Sequence, residues 1–90
     1  MQTVTVQNMR SSSGREVPNQ FTIWTDEGIY FQSYKTVIAF KANDGQITLD
    51  RASWDYSTTT GKYRNRFLDM DKKQTEKLIK SGQIALANLN

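Results

Sequence analysis

Apolar and polar residues alternate through the first half of the chain at period two, the spacing that sends successive side chains of a strand to opposite faces. Val4 and Val6 share one face of a strand over Thr3–Met9. Phe21 and Ile23 oppose Thr22 and Trp24, Asp26-Glu27-Gly28 turns the chain, and Ile29–Gln32 pairs back, which predicts a hairpin over 20–33. Thr36, Val37 and Ile38 open the next strand. Asn43-Asp44-Gly45 reverses it, since Asp-Gly supplies the positive φ values of a tight turn, and Gln46–Asp50 returns with Ile47 and Leu49 on one face. A second hairpin over 36–50 therefore continues the meander. Residues 10–19 hold three serines, a glycine and the single proline, and predict a flexible loop.

The period changes after Trp54. Ser57 or Thr58 can cap a helix, and Tyr63 and Phe67 stand four apart on one face of a segment reaching Leu68. Asp71 followed three residues later by Gln74 is a capping-box spacing, Leu78 and Ile79 give that second helix its apolar stripe, and Ser81-Gly82 stops it. Ile84–Leu89 alternates once more and predicts a last strand. The fold class is α+β: an antiparallel sheet of about five to six strands, built on two hairpins, with two short C-terminal helices packed on one face. Ninety residues make one domain, 1–90, with a thin core.

Composition removes much chemistry. There is no cysteine and no histidine, hence no disulfide, no thiolate or imidazole ligand, and no Ser-His pairing. The five glycines are isolated and form no phosphate loop. Asp69 and Asp71 could in principle hold a divalent ion for phosphodiester cleavage, but a cap and a turn explain them better. No enzymatic activity, cofactor or metal is expected. The chain lacks an apolar run long enough to span a bilayer and a signal-peptide core, so no membrane association is expected either.

Charge and aromatic content point to binding. The formal charge is +3, and Lys62, Arg64 and Arg66 account for as much within five residues of the segment WDYSTTTGKYRNRFL, 54–68. These three cations, extended by Arg51 or Lys41 from the neighbouring hairpin, are expected to form one exposed partner-binding patch; the plainer alternative is a solvated helix face. Phe21, Phe31, Phe40, Phe67 and Trp54 are expected in the core, with Trp54, Tyr56, Tyr63 and Phe67 fixing the short helix to the sheet. Trp24 and Tyr30 fall on the parity opposite their strands' apolar faces. Both are expected on the outer side, where exposed aromatics could stack on bases, unless the helices cover that side.

NQFTI (19–23), YFQSYKTVIAF (30–40), WDYSTTTGKYRNRFL (54–68), EKLIKSG (76–82) and LANLN (86–90) together resemble a family of small proteins encoded by bacteriophages and prophages, with no established activity. The resemblance covers about residues 17–90. It implies a small accessory protein acting in the host cytoplasm. With the basic composition, the expected function is non-enzymatic binding of a host protein or ribonucleoprotein, as an anti-defence inhibitor of the anti-CRISPR kind. The alternative is a nucleic-acid-binding module used in phage replication or gene control. The oligomeric state is left open by the sequence.

Overall fold

A computed structural model describes residues 3–90. Six strands and two helices follow in the order β1 (Thr5–Arg10), β2 (Glu16–Trp24), β3 (Gly28–Ser33), β4 (Thr36–Ala42), β5 (Ile47–Asp50), α1 (Thr58–Leu68), α2 (Lys72–Lys80) and β6 (Ile84–Ala87). The strands form one sheet in chain order. The first four pairings are antiparallel and β5–β6 is parallel, because the two-helix crossover returns the chain in the direction of β5. The fold is α+β, as the patterning predicts. The expected loop at 10–19 is shorter than that: β1 runs to Arg10, β2 starts at Glu16, and the two strands pair as a third hairpin.

Both helices begin at the predicted caps. The Ser57 hydroxyl accepts the Thr60 N–H at 3.1 Å, and the Asp71 carboxylate accepts the Gln74 N–H at 2.8 Å. α1 opens with three threonines and a glycine, weak helix formers. Its stability comes from the packing of Tyr63, Phe67 and Leu68, which join Phe31, Ile38, Ala39, Leu49 and Ile84 in the core. Asp69 ends it in the left-handed conformation, φ 56°, and its N–H reaches back to the Arg66 carbonyl.

Register shows which side the helices cover. Thr22, Phe31, Ala39, Leu49 and Leu86 are successive cross-strand partners on the core side. One residue away, Val6, Ile23, Tyr30, Phe40, Thr48 and Ala85 form a row across all six strands on the other side. Phe21 and Val37 flank this second row across Gln32, and Ile38 is the extra residue of a bulge that returns it to the core. Phe21 and Phe40 are half-buried on the face opposite the core, not in it as their aromatic character predicts. Phe31 and Phe67 are core residues, and Trp54 packs half-buried against them. Tyr56 is 77% exposed and does not fasten α1 to the sheet.

Candidate functional site: a cation-bearing helix side and an uncharged sheet face

Lys62 and Arg66 lie one turn apart on α1 and are both exposed. Tyr63 separates them: the Lys62 ammonium and the Arg66 guanidinium sit 5.6 and 5.7 Å from its ring centre. Arg66 also donates to the Arg10 backbone carbonyl at 2.7 Å, while the Arg10 guanidinium itself donates to the Gly14 carbonyl at 2.9 Å in the β1–β2 turn. That contact joins α1 to the end of β1 across 56 positions, which no local pattern in the sequence records. Lys41 joins at the C-terminal end of α1, where its ammonium donates to the Phe67 carbonyl at 3.2 Å and lies 5.0 Å above the Phe67 ring.

Two expected members fall elsewhere. Arg64 is 1% exposed. Its guanidinium donates to the Trp54 carbonyl at 2.8 Å and to Asn65 Oδ1 at 2.9 Å, pairs with Asp55 at 3.3 Å, and lies 5.2 Å from the Trp54 ring. It fastens the 51–57 segment onto α1 and has no surface left for a partner. Arg51 extends from the end of β5 and donates to the Leu86 carbonyl on β6. The expected single patch of Lys62, Arg64, Arg66 and a hairpin cation is therefore reduced to Lys62 and Arg66, with Lys41 at its inner edge.

The two aromatic candidates separate as well. Register pairs Trp24 with Ile29 and Tyr30 with Ile23, so Trp24 lies on the side of the helices and Tyr30 on the opposite side. Trp24 remains 46% exposed, its indole N–H donating to Thr22 Oγ1 at 3.1 Å. Tyr30 packs against Phe40 at 4.4 Å between ring centres. Tyr30 thus lies on the outer side as expected, and Trp24 does not, because β2 carries its more apolar set, Phe21 and Ile23, away from the core, while Gln20, Thr22 and Trp24 face it.

The carboxylates act locally. Asp69 and Asp71 end and begin the helices. Asp55 is bridged to Lys72 at 2.7 Å and to Arg64; the hydrogen bond from Lys72 comes first in holding its carboxyl below the usual range, against the opposing effect of burial. The same contact raises Lys72. Asp50 is buried beyond the end of β5. Burial favours its neutral form, but hydrogen bonds from Ser53 and the Leu89 N–H, together with Asn90, outweigh that and lower its pKa.

A cleft of about 690 Å³ opens beside the start of α1, between the β3–β4 turn and residues 52–57. Its hydroxyls bond to one another: Ser33 to Thr60 at 3.0 Å, and Ser57 to Thr60 at 3.2 Å. Lys35 is on its wall, and no carboxylate lines it to activate these hydroxyls.

These features define a two-layer α+β domain with a cationic side and an uncharged, partly aromatic side. The chain belongs to DUF8033, a family of unknown function whose model matches residues 4–84. Neither the curated proteins nor the solved structures give a match. Among the described residues, no helix is long and apolar enough to cross a membrane.

Proposed function

We propose that this chain is a small non-enzymatic interaction protein of phage or prophage origin. It acts in the host cytoplasm by binding an acidic surface of a host protein or ribonucleoprotein, in the manner of an anti-defence inhibitor. The observation that carries this reading is the separation of its helix cations from the half-buried Tyr30–Phe40 pair on the opposite sheet face. A single-strand binder places stacking rings and phosphate-binding cations in one groove. Here Tyr30 and Phe40 lie on the sheet face away from α1. Lys62 and Arg66 flank Tyr63, which is 6% exposed and closed to a base. The pair Lys62 and Arg66 suits an acidic protein surface, to which Arg offers bidentate contacts.

The test is capture of partners from host lysate on the immobilised protein, with and without nuclease, compared with the double variant Lys62→Glu/Arg66→Glu. A protein partner that survives nuclease, is eluted by moderate salt and is lost with the double variant is the expected result. The double variant should stay folded with only a modest drop in melting temperature, from the lost Arg66 contact to the Arg10 carbonyl and an acidic group in the last turn of α1. Retention of nucleic acid alone, with log K falling by about 0.9 per released counterion against log salt, would replace this reading with the replication or gene-control one.

A further inference from the structure

Among the described residues, no helix covers the sheet face opposite α1 and α2, and the C-terminal Leu89 and Asn90 reach only its edge at Asp50 and Val37. Val6, Ile23, Tyr30 and Phe40 run across it in register, with Phe21 and Val37 beside them. Among the described residues the six strands carry four charged side chains, and none lies in this apolar area. Arg10 and Glu16 are register partners at the far end of the first hairpin, Lys41 is on the helix side, and Asp50 is buried with hydrogen bonds from Ser53 and the Leu89 N–H. Asn8, Gln32 and Thr48 supply uncharged hydrogen-bonding groups in the same area. Depletion of charge around central aromatics is the composition of an interface core.

We propose that a second copy of the chain covers this face, the two sheets stacking about a twofold axis. Self-association brings identical surfaces together, so any charge in the patch would meet its own kind. Each copy carries +3, and this broad face is one on which two copies meet without opposing cations. The area is sufficient. The molecule measures 34 × 33 × 20 Å, so a broad side offers on the order of 1,000 Å², against about 800 Å² per partner in a standard stable interface. Stacked sheets sit about 10 Å apart, a gap that the Tyr30 and Phe40 rings can fill. The stack leaves both copies of Lys62 and Arg66 outward, so the inference goes beyond the proposed function and does not depend on it.

Sedimentation equilibrium or light scattering measures this directly on the full chain. The expected mass is twice 10.4 kDa, with a Kd of about 1 µM or tighter. Ile23→Lys should return a folded monomer by circular dichroism, and Lys73→Glu, on the exposed side of α2, should stay dimeric. If Ile23→Lys does not fold, Tyr30→Ser removes area without adding charge and should weaken the dimer at least tenfold. A wild-type chain that remains monomeric at about 0.2 mM, far above that Kd, overturns the proposal. So does a dimer that persists unchanged in folded Ile23→Lys or Tyr30→Ser.

Discussion

Arg64 and Arg66 stand two residues apart and have opposite roles. Arg64 is enclosed by Trp54, Asp55 and Asn65, while Arg66 extends along the surface to the Arg10 carbonyl. Truncating Arg64 strands the Trp54 carbonyl, removes one of the two cations on Asp55 and leaves a void against the Trp54 ring. A loss of roughly 2–4 kcal/mol is expected for Arg64→Ala, against within about 0.5 kcal/mol for Arg66→Ala, both read from urea unfolding. Equal effects would mean that Arg64 does not hold the 51–57 segment in place. The sequence could not separate these two residues. Helical spacing sets Arg64 beside Tyr63 and away from the axis of the apolar stripe, and the chain folding back at Trp54 and Asp55 is what closes over it. That contact is tertiary, and no local pattern records it.

The elements themselves were legible because each is specified by short-range chemistry. Alternation marks the strands, Asp-Gly the β4–β5 turn, and Ser57 and Asp71 the helix starts. Which face of the sheet is covered was not legible. β2 has an apolar set on one side and a mixed set with Trp24 on the other, and period-two reasoning assigns the apolar set to the core. The helices choose the other side, following Phe31, Leu49 and Ile84, and leave Phe21 and Ile23 outside. The Ile38 bulge also breaks the simple alternation of β4. One sequence feature does carry a strict packing demand. A Cβ on Gly28 would stand 2.3 Å from the Lys41 carbonyl oxygen and 2.9 Å from the Ala42 Cα. Gly28→Ala must therefore push β3 away from β4, at a cost of roughly 3 kcal/mol. For a domain this size that lowers the melting temperature on the order of 10–20 °C, measurable by thermal denaturation; an unchanged value would show that the two strands can part freely.

Across the whole molecule, Asp50 and the Asp55–Lys72 pair set the pH range of stability. Asp50 and Asp55 have folded pKa values below the ordinary 3.8. The unfolded chain takes up their protons first as pH falls, so the stability they contribute is present above about pH 4 and is lost on acidification through the folded values. Lys72 is raised above 10.5, so its contribution is present below that value and lost as pH rises through the folded one. Urea midpoints should fall as pH is lowered from about 5 to 2, and Asp50→Asn should make that decline shallower while lowering stability at neutral pH. A decline as steep in Asp50→Asn as in the wild type would assign the acid limb to other carboxylates.

The parallel pairing of β5 with β6 also orders events in time. Every other neighbouring pair of strands is joined by a short reversal, but Ile47 meets Ile84, 37 positions further along the chain. Loop closure of that length is slower than closing a hairpin, and the intervening segment must first become two helices docked on the sheet. Until then β5 keeps one edge of its backbone unpaired, and Asp50 waits for the N–H of Leu89. The five-strand meander is thus expected to form before the parallel pairing, leaving its last strand an open ladder to any neighbouring chain during that interval. The exposure this topology implies during folding lies at β5, whose Leu49 is fully buried once the structure is complete.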